Sequence, residues 1–578
     1  MLHLCFQIKA KMANRFILFT MLILFSINTF GQNSYPQDYF RSPLDIPLIL
    51  SGTFGELRGN HFHSGIDIKT QGVEGQVIHA VADGYVSRIN ISPYGYGNAI
   101  YITHPNGYVS VYAHLQRFND SIAAIVKWVQ YQRKSFAIEY YPAKTNIKVK
   151  KGAIIGFTGN SGSSGGPHLH YEIRKASNAH PINPLLFGVK IADHQYPQIS
   201  RLAIYGYYGA SYQFKKEYKL KQTTKKAKLN TNDTILVDEQ FYIGVQSIDK
   251  QDGAVNKNGL YKLEYYIDSS LFFTFTVNEI SFAEKRYINS YIDYKTYKKQ
   301  KIKYQRSFVQ PNNKLLNITN IANNGLVKLN DYQTHRIKVI ASDFAGQKTI
   351  LEFYIRKKTE RKKYKMLNGS LFEWSHTNSY KSKELLFSIP KGALYDDIIF
   401  NVKTQKNKKS PYSKMFVIAD EGIPLHKYCK ISIKADSALT PALQSKACII
   451  SLTNKGGFYY EGGSYKDGFV STKTRSFGSY LIGVDTIAPS IKGINVYNGK
   501  NITKQLNIAF KVSDNLSGIK KYTATLDGNW ILLQYDPKKN KMYYRIDNHF
   551  PKGKHRFQLK LTDSKGNTRI VKMNLIRN

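Results

Sequence analysis

GNSGSSGGPHLHYEI, residues 159–173, joins a glycine-rich turn to an alternating run of side chains. The turn cannot be helical, and its glycines allow backbone to approach a site closely. Successive residues of a strand point to opposite faces, so His168 and His170 share one face while Leu169 turns into the core. The stretch therefore predicts a strand that carries two imidazoles into one cavity.

The same β pattern runs through residues 46–188, which are rich in glycine. QVIHAVADGYVSRINI (76–91) and NAIYITHPNGYVSVYAHL (98–115) predict successive strands separated by Gly and Asn-Gly turns. SIAAIVKWVQYQRKS (121–135) instead places apolar residues at helical spacing. We therefore predict an antiparallel β domain over residues 46–190 with a small helical insertion.

A second group of possible ligands lies in HFHSGID, residues 61–67. His61 and His63 both stand an even number of residues from Asp67, so either could share a strand face with that carboxylate. The distance that the chain must bridge to Asp67 distinguishes the two histidines in part. The Ser-Gly pair can bend the chain between His63 and Asp67, whereas His61 would have to fold back past two further residues.

His114 ends a third predicted strand, in VYAHLQ. Two histidines and one carboxylate suit Zn²⁺ and leave a fourth coordination position for water. Two additional histidines suit proton transfer or oxyanion binding. Arg58 could bind a substrate carboxylate, but a structural ion pair is its more ordinary role. We interpret three other histidines of this region as incidental: His79, His104 and His180.

Four stretches closely resemble the M23 metallopeptidases, the LytM/lysostaphin-type peptidoglycan endopeptidases. They are HFHSGIDIKT (61–70), VADGYVSRI (81–89), GYGNAIYITHPNGYVSVYAHL (95–115) and VKKGAIIGFTGNSGSSGGPHLHYEIR (149–174). The resemblance covers about a quarter of the chain, and its motifs are highly specific. It implies the M23/LytM-like antiparallel β fold for this domain.

The resemblance also implies the site. Its zinc ligands would be His63, Asp67 and His170, with one Zn²⁺ in the catalytic domain, and its catalytic histidines would be His114 and His168. The implied activity is hydrolysis of peptide cross-links of peptidoglycan in cell-wall remodelling. Which of the two catalytic histidines acts as the base stays open.

Two other functions compete with a peptidase. Some members of the family lack ligands and act only as amidase activators, so a catalytically silent wall-binding or amidase-regulating protein is the main alternative. An adhesin dominated by its β domains would keep its biological activity after loss of the metal site. Every motif residue of the family is present in this chain, which favours the enzyme.

The chain beyond this domain follows a β pattern and contains an internal repeat. GLYKLEYYID (259–268) matches GIKKYTATLD (518–527), and each copy has an upstream strand that ends in aspartate and a downstream Asp-x-x-Gly turn. The four aspartates concerned are Asp249 and Asp343 in the first copy, Asp514 and Asp563 in the second. The repeat predicts immunoglobulin-like β-sandwiches over residues 196–358 and 486–578. Residues 362–485 are predicted to form a β domain of uncertain type.

We expect these three β domains to position the chain on the cell wall and to offer surfaces for other envelope proteins. Because the recognisable chemistry ends at His170, we also expect them to be dispensable for cleaving soluble wall fragments.

The first residues have the pattern of a secretory signal peptide. Lys9, Lys11 and Arg15 precede a short apolar run over residues 16–27, as in the charged and apolar regions of such signals. We predict a signal peptide over residues 1–31, a linker over 32–45, and an exported protein of the periplasm or cell envelope. No stable membrane span is expected after removal of the signal.

The 578-residue chain is strongly basic, with 83 Lys and Arg against 40 Asp and Glu. Such an excess favours anionic surfaces by long-range attraction. The lysines are dispersed rather than gathered in one arm, and an exported protein seldom meets nucleic acid, so we expect no nucleic acid as partner. A lysine-rich proteome would explain the excess equally well, and peptidoglycan is the partner that the resemblance implies. Cys429 and Cys448 could form a disulfide in an oxidising compartment or remain two buried thiols.

Overall fold

The computed structural model describes residues 35–208, 213–231, 233–359, 368–406, 409–453 and 456–578. The predicted signal peptide, residues 1–31, lies outside them. Strands predominate over helices, which confirms the mainly β prediction. No helix in the described part of the chain is long and apolar enough to cross a membrane.

The N-terminal domain is a β domain with one inserted helix. Its strands β1 to β14 are Leu50–Gly52, Leu57–Arg58, His61–Phe62, Ile66–Lys69, Val77–His79, Gly84–Ile91, Asn98–Thr103, Tyr108–Ala113, Arg117–Phe118, Ile138–Tyr140, Lys148–Val149, Ile154–Phe157, His168–Lys175 and Pro181–Ile182. Helix α1 spans Asp120–Gln132. A nine-stranded sheet in the order β1-β4-β13-β8-β7-β6-β10, with β11 beside β6 and β14 beside β13, forms its centre. A three-stranded sheet, β5-β12-β9, accompanies it.

Helix α1 is the predicted insertion. Asn119 caps it, because its side chain accepts a hydrogen bond from the backbone N–H of Ile122 at 2.9 Å. Ile122, Val126 and Val129 are buried and Ile125 is partly buried, so the predicted apolar face is the packed face. The small helical insertion is thereby confirmed.

The second domain is a larger β structure. Its strands β15 to β27 are Gln198–Tyr207, Gln213–Gln222, Lys226–Leu229, Ile235–Val237, Gln240–Gln251, Ala254–Asn258, Lys262–Ile267, Ser270–Thr276, Gln305–Arg306, Ile318–Thr319, Val327–Lys328, His335–Ser342 and Lys348–Lys357. Helices α2 (Ile288–Tyr291) and α3 (Tyr294–Gln300) lie between β22 and β23. Strands β17 and β18 pair in parallel with β27, and the other strand pairs of this domain are antiparallel.

The third domain contains two five-stranded antiparallel sheets, β29-β30-β34-β38-β37 and β32-β33-β39-β35-β36. Its strands β28 to β39 are Ser370–Phe372, Asn378–Lys381, Leu385–Ile389, Ile398–Phe400, Val402–Gln405, Met415–Ile418, Cys429–Lys434, Ala447–Leu452, Phe458–Gly462, Ser464–Lys466, Phe469–Thr474 and Gly478–Val484, and α4 is Pro441–Gln444. Cys429 and Cys448 are both free and buried. Of the two alternatives, a disulfide or two buried thiols, the structure has the two thiols. Burial raises the pKa of each thiol to about 12.

The last domain pairs two four-stranded sheets, β40-β41-β45-β44 and β43-β42-β46-β47. Strands β40 to β47 are Ser490–Gly493, Asn507–Ser513, Ile519–Leu526, Asn529–Trp530, Gln534–Asp536, Lys541–Arg545, Gly553–Asp563 and Thr568–Arg577. Short 3-10 turns occur in three of the domains, at Pro184–Phe187, Lys285–Tyr287, Asn323–Gly325 and Pro537–Lys539.

The sequence repeat corresponds to a repeated turn. Asp268 and Asp527 both follow their repeat strand with positive φ, 52° and 49°. Each carboxylate accepts a hydrogen bond from a backbone N–H, that of Arg336 at 2.9 Å and that of Arg556 at 2.7 Å. The second and last domains therefore share local structure at equivalent positions. Their assignment as immunoglobulin-like stays a prediction.

The first two domains share one hydrophobic core, whereas the third and the last have their own. Phe62 stacks on Phe275 with ring centroids 6.0 Å apart. Gly55 lies so close to the second domain that an added Cβ would stand 2.4 Å from Val277 Cγ1. The N-terminal domain therefore packs directly against the second domain, and the dispensability of the β domains for soluble fragments stays a prediction. Sequence patterning shows which strand faces are buried, but not against which domain.

Residues 35–45, which fall in the predicted linker, pack against the N-terminal domain. Leu44 is buried, and the backbone N–H of Arg41 donates to the carbonyl of Val81 at 2.9 Å.

The last domain also contacts the N-terminal domain. Lys538 Nζ donates to the carbonyl of Ser164 at 2.9 Å, beside the glycine-rich turn that precedes β13.

Candidate metal centre

Three buried side chains meet where β4 pairs with β13. Asp67 stands directly opposite His170 in the strand register. Asp67 Oδ1 lies 3.0 Å from His63 Nε2 and 2.8 Å from His170 Nδ1, and those two nitrogens are 3.0 Å apart. All three residues are at most 5% exposed. They form a compact group of two nitrogens and one carboxylate oxygen that could hold a metal ion.

The bend between β3 and β4 brings His63 into this group. Gly65 lies against β13, where an added Cβ would stand 2.4 Å from the carbonyl oxygen of Tyr171. A side chain at this position would push the bend away from β13. His61 lies outside the group: it is exposed, and its Nδ1 lies 2.8 Å from the carbonyl of Gly59. Of the two histidines in HFHSGID, the structure places only His63 beside Asp67.

Hydrogen bonds at the far side of each imidazole fix which nitrogen faces Asp67. His63 Nδ1 donates to the carbonyl of Thr53 at 2.8 Å, which leaves Nε2 for a ligand. His170 Nε2 donates to Glu172 Oε1 at 2.8 Å, which leaves Nδ1. Such outer partners select the tautomer and the ring orientation of a metal ligand.

The protonation of the group follows from burial and from its carboxylates. Burial lowers the pKa of His63 to about 4, against the attraction of Asp67. Burial also opposes the charged form of Asp67, but the three histidines around it hold its pKa well below the usual range. For His170, burial is outweighed by the hydrogen bonds to Asp67 and Glu172, and the pKa rises to about 9. Binding of a metal at His170 Nδ1 therefore requires release of a proton.

The donor set fits zinc. Bonds of about 2.0–2.1 Å in tetrahedral geometry place neighbouring ligand atoms about 3.3 Å apart. The three ligand atoms stand 2.8–3.0 Å apart, so the group needs to open by only a few tenths of an ångström. Both nitrogens are already oriented, which suits a preformed zinc site.

His114 and His168 lie beside the group and are more exposed than its three members. Their ring centroids are 4.9 Å apart, and His168 Nε2 is 3.5 Å from Asp67 Oδ1. Each is held through Nδ1, which donates to the carbonyl of Ser161 at 2.9 Å in His114 and of Gly166 at 2.9 Å in His168. Nε2 of each ring is left for other contacts.

The backbone and the surroundings of His114 are unusual. His114 has φ of 64°, a left-handed conformation directly after β8, of the kind that is often found at functional sites. Burial, followed by the neighbouring His170 and His168, lowers its pKa to about 3, so the imidazole is neutral at pH 7.

A buried network behind His170 was missed by the sequence analysis. Glu172 Oε1 accepts hydrogen bonds from Ser64 Oγ and from Tyr96 OH, both at 2.6 Å. Arg174 Nε donates to the other oxygen of this carboxylate at 2.5 Å. Strand parity could have identified Glu172 and Arg174, because both follow His170 by even numbers on β13.

Arg58 forms an ion pair, with Nη2 2.5 Å from Asp67 Oδ2. The remaining histidines of the domain lie elsewhere. His79 contacts Asp45, His104 contacts Ser110, and His180 contacts Glu279.

The chain is similar to known proteins over two segments. Peptidase family M23 matches residues 61–130 and 127–184, and a Zu5-like domain matches residues 369–485, within the region predicted as a β domain of uncertain type. The DD-carboxypeptidase/endopeptidase Mpg of Neisseria meningitidis serogroup B is 37% identical over 123 residues, which are 21% of this chain and 22% of that protein.

Two further relatives carry different names. The peptidoglycan DD-endopeptidase ShyC of Vibrio cholerae is 31% identical over 155 residues, covering 25% of this chain and 29% of that protein. The murein hydrolase activator NlpD of Escherichia coli is 36% identical over 154 residues, covering 27% of this chain and 32% of that protein. The chain thus spans less than a third of the length of each of these relatives.

Among solved structures, the catalytic domain of the prophage-encoded M23 protein EnpA from Enterococcus faecalis is 30% identical. That likeness covers 27% of this chain and 97% of the EnpA domain, with a TM-score of 0.19. The resemblance inferred from the motifs is confirmed by the family match: the chain carries a peptidase family M23 domain over residues 61–184.

Proposed function

We propose that this protein is a zinc-dependent endopeptidase that hydrolyses peptide cross-links of peptidoglycan. The observation that carries the proposal is the division of five clustered residues into two sets. His63, Asp67 and His170 are buried and share one small volume, whereas His114 and His168 are partly exposed beside them. A zinc hydrolase needs buried ligands that leave one coordination position open, together with reactive groups that a substrate can reach.

Zinc at this site would supply Lewis acidity toward a peptide carbonyl and would lower the pKa of water toward ~7. The two histidine ligands are oriented before any metal binds, because Thr53 and Glu172 fix the rings of His63 and His170 by hydrogen bonds. Asp67 adds one negative charge to two neutral imidazoles, so the liganded cation keeps a net positive charge.

The proton transfers fall to His114 and His168. Hydrogen bonds from Nδ1 to backbone carbonyls leave Nε2 of each ring free to take a proton from water or to donate one to the tetrahedral oxyanion. A positioned acid or base contributes about 10²–10⁴-fold to the rate, and an oxyanion donor contributes about 10²–10³-fold. We assign the pair to these two tasks jointly.

Peptidoglycan as the substrate is supported by the names of the relatives, two of which are a DD-carboxypeptidase/endopeptidase and a peptidoglycan DD-endopeptidase. We therefore place the protein outside the cytoplasm, in the periplasm or cell envelope. The formal net charge of +43 supports attraction to anionic wall surfaces. We assign positioning on the wall and contacts with other envelope proteins to the β domains.

The second candidate function is activation of a murein hydrolase without turnover. It is favoured by the similarity to the murein hydrolase activator NlpD. The five-residue set argues for turnover instead, because a regulator has no need for two accessible histidines beside a ligand group.

Digestion of purified sacculi separates the two functions. The full chain is incubated with sacculi and Zn²⁺, and the released fragments are identified by mass spectrometry. The endopeptidase predicts fewer cross-linked fragments and new peptide termini, with no such products from a His63→Ala chain. An activator would release nothing alone and would increase release by an added amidase.

A further inference from the structure

Three aspartates of the second domain lie close together near its contact with the M23 domain. Asp249 lies on β19, Asp343 follows β26, and Asp193 precedes β15. Ligand oxygens from the three lie within 4.8 Å of one another. Asp249 and Asp343 are 5% and 2% exposed. Within the described residues, no lysine, arginine or histidine forms a salt bridge with any of the three, although the chain as a whole is strongly basic.

A fourth side chain points into the same place. Asn258 stands directly opposite Asp249 in the pairing of β19 with β20, so the two side chains share a face. It is 2% exposed, and neither its amide nitrogen nor its amide oxygen has a hydrogen-bond partner. Asn258, Asp249 and Asp193 line one cavity of about 30 Å³, enough for an ion or a water molecule.

Two carboxylate oxygens are also unsatisfied. Asp249 Oδ1 and Asp343 Oδ2 are buried without a hydrogen-bond partner among the described residues, an arrangement that is unfavourable in a protein interior. Burial, followed by repulsion from Asp343 and Asp193, raises the pKa of Asp249 to about 8. The cluster therefore contains buried oxygens for which the described residues supply no donor.

The last domain provides an internal comparison. Asp485, Asp514 and Asp563 gather in the same way at the equivalent turns. There, however, Asn567 Nδ2 donates to Asp563 Oδ2 at 2.7 Å. The residue at the equivalent place in the second domain is Gln347, and its amide donates to the backbone carbonyl of Asp193 instead, at 2.9 Å. The equivalent oxygen in the last domain has a donor, so the shared fold alone does not explain why Asp343 Oδ2 lacks one.

We propose that Asp193, Asp249, Asp343 and Asn258 form a binding site for Ca²⁺. All the donors are oxygens, which select hard cations over transition metals. Ca²⁺ accepts about 6–8 oxygens at about 2.3–2.6 Å in flexible geometry, which suits carboxylates and an amide that converge from separate segments of the chain. Mg²⁺ demands near-ideal octahedral geometry and keeps several of its waters, for which the small cavity leaves little room.

The site lies at the contact between the M23 domain and the second domain. Its cavity is also lined by Thr53 and Gly259, one from each side. Thr53 Oγ1 accepts a hydrogen bond from the backbone N–H of Gly259 at 2.9 Å, and the carbonyl of Thr53 accepts from His63 Nδ1 at 2.8 Å. Ca²⁺ therefore stabilises the domain contact and, through Thr53, the position of His63.

Equilibrium dialysis of the zinc-loaded full chain against Ca²⁺ tests the site. We expect the Asp249→Asn chain to bind one Ca²⁺ fewer than the unaltered chain, with its zinc retained. Glu352→Gln, which removes an exposed carboxylate of the same domain, should change nothing. Ca²⁺ should also raise the thermal midpoint of the unaltered chain and not that of Asp249→Asn.

Three results would overturn the proposal: no Ca²⁺ bound by the unaltered chain at millimolar concentration, equal Ca²⁺ binding by Asp249→Asn, or tighter binding of Mg²⁺ than of Ca²⁺. If the Asp249→Asn chain does not fold, Asn258→Ala replaces it, since that change removes an uncharged ligand. It should weaken Ca²⁺ binding by about tenfold or more, and unchanged affinity in a folded Asn258→Ala chain would equally refute the site.

Discussion

Glu172 orients the imidazole of His170 from the side away from Asp67: its Oε1 accepts a hydrogen bond from His170 Nε2 at 2.8 Å. That bond leaves His170 Nδ1 facing Asp67. We predict that Glu172→Gln lowers zinc affinity by about 10–100-fold, as is usual when the partner behind a metal ligand is lost.

Zinc competition with a chromophoric chelator measures this loss. Glu139→Gln is the control, because Glu139 is an exposed carboxylate of the same domain. The circular dichroism spectrum must show that Glu172→Gln still folds, since Arg174 loses its partner in this chain. An unchanged zinc affinity in a folded Glu172→Gln chain would mean that His170 is oriented by other contacts.

His61 and His63 form a matched pair for testing the ligand assignment. His63 contacts Asp67 and His170, whereas His61 is exposed and its Nδ1 hydrogen-bonds to the backbone carbonyl of Gly59. His63→Ala should abolish stoichiometric zinc binding and activity. His61→Ala should keep the metal and change activity modestly. Metal analysis of the two dialysed chains decides, and zinc loss from His61→Ala with retention by His63→Ala would reverse the assignment.

Truncation tests whether the first two domains are one folding unit. Phe62 and Phe275 pack across the contact, so a chain of residues 32–190 would expose the apolar surface that the second domain covers. We predict that it aggregates or melts without cooperativity, whereas residues 32–359 fold and bind zinc. A soluble, cooperatively melting 32–190 chain would contradict this and show that the M23 domain folds without the second domain.

A histidine at the contact between the second and third domains should make that contact sensitive to acid. His426 stacks on Tyr287 with centroids 4.5 Å apart. Burial, followed by the charges of Arg475 and Arg286, lowers the pKa of His426 to about 4. Because the folded pKa lies below the unfolded value of about 6.5, the stabilising contribution is complete above pH 6.5. It is lost as the pH falls toward 4.

Thermal unfolding of the full chain and of His426→Gln over pH 4–7 measures this contribution. The midpoint of the unaltered chain should fall more steeply between pH 6.5 and 4 than that of His426→Gln. Parallel curves for the two chains would show that His426 titrates normally in the folded protein.

Local spacing in the sequence was sufficient for several strands of the M23 domain and for helix α1, whereas the grouping of the five site residues was implied by the resemblance to the M23 metallopeptidases. Strand parity placed His168 and His170 on one face, and the bend in HFHSGID lies where the Ser-Gly pair allowed it. These features depend on local spacing, which the sequence displays directly.

Contacts between distant segments were not predictable in the same way. Tyr96 reaches Glu172 across 76 positions, and Phe62 meets Phe275 from another domain. The aspartates of the repeat, Asp249 and Asp343, were visible as landmarks, but nothing local showed that their side chains converge. Tertiary packing determines such encounters, and periodicity reports only which face of an element is buried.

The central claim is that His114 and His168 perform chemistry while His63, Asp67 and His170 hold the metal. The most direct test measures bound zinc and cross-link cleavage together in His114→Ala and His168→Ala chains. We predict near-stoichiometric zinc in both, with turnover reduced by about 10²–10⁴-fold. Loss of most of the zinc from His168→Ala, or cleavage at the unaltered rate by either chain, would contradict this division.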